Sequence, residues 1–314
     1  MPISCLSLAF PFMPFPPSWL TSFLSPPFPP FLPLDNRAEC VSMGPPIRTA
    51  ADMKDTQNSP DFRNMPIRKV GIKGLRYPII VKDRQYESQH TVARVNMYVD
   101  LPHHFKGTHM SRFVEILNQY HGRISIHKLE GILRAMIRTL DSRTAHLEIR
   151  FPYFIEKQAP VSGAVSLMDY DCAFIASLDT NGEEHPPDLV VEVDVPVCTL
   201  CPCSKAISTD GAHNQRSSIR IQIRSQAMVW IEDLIEIAES EASAPLYSLL
   251  KREDEKAVTE QAYRNPRFVE DVVRGVGVRL KEDPRIDWYR VESENAESIH
   301  NHSAYALVEP EKRR

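Results

Sequence analysis

Strict alternation of apolar and polar residues is the clearest signal along this chain. Ser217-Ser-Ile-Arg-Ile-Gln-Ile-Arg-Ser-Gln226 puts Ile219, Ile221 and Ile223 on one face and Arg220, Gln222 and Arg224 on the other. That is the period-two pattern of a half-buried strand. His90 to Asp100 alternates in the same way and is rich in β-branched residues, which predicts another strand. Val70–Val81 reads as a strand interrupted by Gly71 and Gly74. Further strands are predicted at Ala145–Ile155, Gly163–Ser177, Leu189–Val197, Ile286–Glu292 and Ala304–Val308. Helical spacing takes over between Ile126 and Leu140, where Leu129, Leu133, Ile137 and Leu140 share a face and Lys128, Arg134 and Arg138 point away. Ser111 is placed to N-cap a helix running to Tyr120 and ended by Gly122. Helices are also expected at Ile231–Ser240, near Glu253–Tyr263 and at Pro266–Leu280.

These elements run β, β, α, α, β, β and then repeat. Two copies of one supersecondary pattern imply duplicated modules, although the halves share no evident sequence identity. The fold class is α+β, each half an antiparallel sheet with two helices on one face. The polar, turn-rich Asp179-Thr-Asn-Gly-Glu-Glu-His-Pro-Pro187 marks the boundary. The expected organisation is an N-terminal extension over 1–66, a first module over 67–180 and a second over 181–314. The extension is dominated by Pro and Phe up to Leu34 and has no Lys or Arg before Arg37, so neither a signal peptide nor a spanning helix is expected. An extended, poorly ordered tail fits it best, and Met43 or Met53 are alternative starts.

A chain of 314 residues can bury a sizeable core. Its net charge of −4 leaves no footprint for general nucleic-acid binding, and no membrane partner is expected. Six cysteines are too few for a disulfide framework at this length. Three of them, Cys198, Cys201 and Cys203, fall in one short segment with His213, which Pro202 and Gly211 interrupt. That suits a metal site in a reducing, cytoplasmic setting. Two readings stand beside each other: a closed structural zinc site using all four side chains, and a catalytic site completed from Glu297-Ser-Ile-His-Asn-His-Ser303. No phosphate-binding G-x-x-x-x-G-K-[ST] loop or dinucleotide fingerprint occurs. Phosphates would have to be held by side chains, and Lys205 and Arg216 flank the cysteine segment, with Lys106 and Arg112 as further candidates.

Cys201-Pro-Cys-Ser-Lys-x-Ile-Ser-x-x-Gly-Ala-His-Asn-Gln-Arg216 resembles the signature of GTP cyclohydrolase IB, the metal-dependent enzyme that opens the purine ring of GTP. Val70-Gly-Ile-Lys-Gly-Leu75, Lys106-Gly-Thr-His-Met-Ser-Arg-Phe113 and Glu297-Ser-Ile-His-Asn-His-Ser-Ala304 are similar to that family as well. The resemblance spans about Ile67 to Val308. It implies tandem tunnelling-fold modules, a homotetramer with active sites at interfaces, and conversion of GTP to formate and 7,8-dihydroneopterin triphosphate. It implies zinc or manganese, with Cys201 as thiolate ligand, His213 as ligand or proton shuttle, and Glu255 and His300 as further ligands; His302 competes with His300. It also implies that Glu270 anchors guanine through paired hydrogen bonds. A sister enzyme of the same fold using a cysteine nucleophile on a pterin or deazapurine is the remaining alternative.

Overall fold

The computed structural model describes residues 57, 59–120, 124–180 and 185–310. Most of the expected N-terminal extension, the Gly122 helix stop and part of the predicted module boundary therefore lie outside the described residues. The first set of elements is β1 (Ile67–Asp83), β2 (Glu87–Leu101), α1 (Met110–Gln119), α2 (Leu129–Leu140, preceded by a 3-10 turn at Ile126–Lys128), β3 (Thr144–Gln158) and β4 (Val165–Asp179). The second is β5 (Asp188–Leu200), α3 (Pro202–Ile207), β6 (Asn214–Ser225), α4 (Ile231–Glu241), β7 (Ala244–Pro245), α5 (Arg252–Arg264), α6 (Val269–Glu282), β8 (Ile286–Ala296) and β9 (Ser303–Val308).

Among the described residues the strands form one antiparallel sheet in the order β1-β2-β3-β4-β5-β6-β8-β9. The α+β class and the doubled order are thus as the alternation predicts. The two sets also share the sheet, because β4 pairs directly with β5. That pairing stops at Asp194, and further along β5 Val197 and Cys198 take Pro245 and Ala244 of β7 as partners.

One face of the sheet carries the core. Ala93, Val95, Met97, Leu147, Ile149, Val193, Val195, Ile219 and Ile221 are almost completely buried. They lie in one cluster with Phe113 and Leu117 of α1, Ile132 and Met136 of α2, Leu234 of α4, and Val272, Val276 and Leu280 of α6. Each fully buried aliphatic side chain contributes roughly 1.5–3 kcal/mol by leaving water. The other face is charged. Arg150 bonds Glu148 and Glu192, Gln222 bonds Glu192, and Arg220 bonds Asp194.

Two glycines shape β1. A Cβ on Gly71 would lie 1.9 Å from the Met97 carbonyl oxygen, so only glycine fits where β1 presses on β2. Gly74 has φ +76°, a conformation open to glycine at little cost. β1 is bulged between Ile72 and Leu75, and the Gly74 N–H donates to Asn96 Oδ1 at 2.7 Å.

Local differences from expectation have simple causes. The N-cap of α1 is His109, and Ser111 falls within the first turn without capping it. The cysteine segment is helical over Pro202–Ile207, because proline at the first helical position is pre-organised for that turn. The first and second sets of elements are also tied by side chains. Lys157 Nζ bonds Glu239 Oε1 at 2.7 Å and the Leu246 carbonyl at 2.6 Å. The fully buried Asp254 accepts from the backbone N–H groups of Val161 and Ser162 at 2.9 and 2.8 Å.

Candidate active site

The C-terminal end of β5 is held from three sides before the chain reaches Cys201. Ser243 Oγ accepts from the Leu200 N–H at 3.0 Å, and the Ser243 N–H donates to the Cys198 carbonyl at 3.1 Å. The Arg267 N–H donates to the Leu200 carbonyl at 3.0 Å, bringing the start of α6 to the same point. Cys201 then caps α3, its Sγ accepting from the Ser204 N–H at 3.4 Å. The loop returns through Gly211, at φ +128°, so that the Cys201 N–H meets the His213 carbonyl at 3.1 Å. The His213 N–H is fixed in turn by Ser204 Oγ at 3.2 Å.

His213 is mostly buried, and its Nδ1 lies 3.8 Å from Glu297 Oε2 and 3.5 Å from Ser298 Oγ. His300 Nδ1 lies 3.8 Å from the same Glu297 oxygen, and its ring stacks on His302 at 5.2 Å. The fold therefore links His213 and His300, 87 positions apart in the numbering, through one carboxylate just past the end of β8. The sequence offered Glu297 only as part of the Glu297–Ser303 motif, without singling it out beside the histidines. The signal for it was present: Glu297 and His300 stand three apart in one motif.

The other cysteines behave differently. Burial pushes the Cys198 thiol up against the opposing pull of Arg216, so it is a neutral thiol. Cys203 is exposed, and the four described cysteines are all free. Lys205 Nζ bonds the Tyr263 carbonyl at 2.5 Å and lies 4.6 Å from that ring's centre. Arg216 is exposed on β6, opposite Cys198 and Ala296. It lines a cavity of about 720 Å³ with Asp194, Tyr247 and Glu294. Glu270 is exposed in the first turn of α6, three residues after the Arg267 contact. Glu255 is exposed in the first turn of α5, beside the buried Asp254, and no side-chain bond among the described residues joins it to Cys201, His213 or Glu297.

Among the described residues no three His, Cys, Asp or Glu side chains converge tightly enough to enclose an ion. The chemistry of the donor set nevertheless fits one. A thiol, two imidazoles and a shared carboxylate are borderline ligands suited to zinc and tolerant of manganese.

An antiparallel sheet with helices on one face, and with Cys201, His213 and Glu297 at the end of β5, the start of β6 and the end of β8, is the make-up of an α+β enzyme. The chain belongs to the family described as Type I GTP cyclohydrolase folE2, whose model matches residues 53–306. A GTP cyclohydrolase FolE2 of Syntrophotalea carbinolica is 60% identical over 82% of this chain and 95% of that protein. The same enzyme of Pelobacter propionicus is 60% identical over 83% of this chain and all of that one, and that of Geobacter sulfurreducens is 57% identical. Among solved structures, urate oxidase from Bacillus subtilis 168 matches 78% of this chain and 94% of its own, with 12% identity and a TM-score of 0.45. Urate oxidase of Bacillus sp. TB-90 matches with 10% identity and a TM-score of 0.48, over 78% of this chain and all of its own.

Proposed function

We propose that this chain opens the purine ring of GTP by hydrolysis, giving formate and 7,8-dihydroneopterin triphosphate, the first step of tetrahydrofolate and pterin synthesis. We further propose the metal-dependent character of the IB type, with zinc or manganese. The observation that carries this reading is the approach of His213 and His300 to one carboxylate, Glu297, with Cys201 tied to His213 through the backbone, in a chain of this family.

Cys201, His213, Glu297 and His300 are the residues that would hold the ion, with Glu255 as a competitor for the carboxylate position. A divalent ion held by them would supply Lewis acidity, the means of activating water as a nucleophile at neutral pH. His213, whose Nδ1 faces Glu297 and Ser298, would either complete that ligand set or, left off the ion, move a proton to the purine nitrogen that leaves C8. Glu270, at the start of α6, accepts the paired N–H groups of guanine. Arg216 and Lys205 face the triphosphate, Lys205 after release from the Tyr263 carbonyl.

Among the described residues β1 and β9 each have one neighbour in the sheet. Unpaired edges of this kind favour closure with further copies, in keeping with a homotetramer whose sites lie at interfaces. Free thiols suit a cytoplasmic location.

The test is direct. Metal-loaded protein is incubated with GTP, and formate and an oxidised, fluorescent pterin are measured. Both products are expected, and Cys201→Ser is expected to abolish them while circular dichroism stays unchanged. A folded Cys201→Ser protein that still releases formate at the parent rate would overturn the assignment. Unfolding on chelation, together with equal folding defects in Cys198, Cys201 and Cys203 variants, would instead identify a structural zinc site.

A further inference from the structure

The motif Val70–Leu75 takes no part in the site just described, yet it controls the charged face of the first module. The bulge between Ile72 and Leu75 adds one residue to β1, and a one-residue shift exchanges the two faces of a strand. Leu75 consequently pairs with Val95 on the core side, and Arg76 faces Arg94 on the polar side. Arg94 in turn faces Arg150 of β3. Three arginines thus stand in one row on adjacent strands, about 4.8 Å apart from strand to strand. Like charges directly opposite one another destabilise a sheet.

Only one of the three is neutralised. Arg150 bonds Glu148 and Glu192 at 2.5 and 2.6 Å. Among the described residues the Arg76 and Arg94 side chains make no hydrogen bond or ion pair. All three line a cavity of about 480 Å³ whose carboxylates lie at its other end, on β4 and β5. There Glu192 is engaged by Arg150 and Gln222, and Asp194 by Arg220 and Ser218. Asp171 faces Asp194, on the far side of Arg150 from the free pair. The row crosses β5 at the level of Glu192, six residues before Cys198, or about 20 Å away along the strand.

We propose that Arg76 and Arg94, with Arg150 behind them, form a binding site for a phosphate-class oxyanion, separate from the Cys201 site of the same chain. Planar guanidinium forks on rigid strands match such an anion, and its charge removes the repulsion within the row.

Inorganic phosphate is the probe, titrated calorimetrically into the metal-loaded full chain at low ionic strength. The double variant Arg76→Gln/Arg94→Gln should weaken binding by about tenfold or more, whereas Arg216→Gln should leave this event in place. Melting gives a second, independent reading. Phosphate should raise the Tm of the parent, and Arg94→Gln alone should raise the Tm in phosphate-free buffer while losing the phosphate response. Unchanged binding in the double variant, loss only in Arg216→Gln, or a lower phosphate-free Tm for Arg94→Gln each overturns the proposal. So does a changed oligomeric mass in the double variant with phosphate affinity intact, which would assign the row to carboxylates of a second copy.

Discussion

Replacing Ser243 with alanine removes a single oxygen next to the site, and its cost can be worked out. Ser243 is completely buried, and its hydroxyl is the acceptor for the Leu200 N–H at 3.0 Å. The second link, from the Ser243 N–H to the Cys198 carbonyl, is backbone and survives the change. Leu200 is itself buried, so its N–H is left without water or partner. Stranding a buried donor costs about 2 kcal/mol, more than the net worth of an ordinary hydrogen bond. For a folded unit of this size that corresponds to a fall in Tm of about 4–8 °C. Urea denaturation should show a lower midpoint with an unchanged slope, since the surface exposed on unfolding is the same. Leu200 directly precedes Cys201, so formate release should also fall at temperatures where the variant remains folded. A stability within about 0.5 kcal/mol of the parent, the range of a neutral surface change, would show that Ser243 does not brace this strand end.

Glu297→Gln should reduce the zinc or manganese retained after dialysis and formate release together, while Glu255→Gln should do so less; metal analysis and the GTP assay decide, and the reverse ranking would move the carboxylate ligand to α5. Gly71→Ala should destabilise the protein by several kcal/mol, because the new methyl would overlap the Met97 carbonyl and force β1 from β2; an unshifted urea midpoint would contradict the close approach. Acid should weaken the fold through Asp254. Burial pushes that carboxyl up, but hydrogen bonds from Ser162, Lys251 and Val161 more than offset this and hold it well below the usual carboxylate range. The folded state thus binds the proton less readily than the unfolded chain, so the contribution is complete above the unfolded value of about 4 and is lost as pH falls beneath it. Melting curves between neutral pH and pH 3 should show a shallower acid loss in Asp254→Asn, and parallel curves would contradict this.

The sheet was legible because alternation is a local property: Ile219, Ile221 and Ile223 announce β6 whatever surrounds them. Gly71 and Gly74 likewise marked the irregularity of β1. The two-residue β7 was not legible, since it exists only because Val197 and Cys198 need partners beyond the reach of β4. Cys201, His213 and His300 could be singled out by residue type and motif. Glu297 was passed over because its value depends on two histidines converging on it in space. The engagement of Lys205 with Tyr263, 58 positions away, was equally beyond a reading of neighbours.

The β3–β4 hairpin reaches α4 through Lys157 and α5 through Asp254, and β4 is sewn to β5 along the same sheet. The doubled order of elements therefore does not give two self-sufficient pieces. A gene cut after Asp179 should yield fragments that are insoluble when made singly. Made together in one cell, they should find each other and restore turnover.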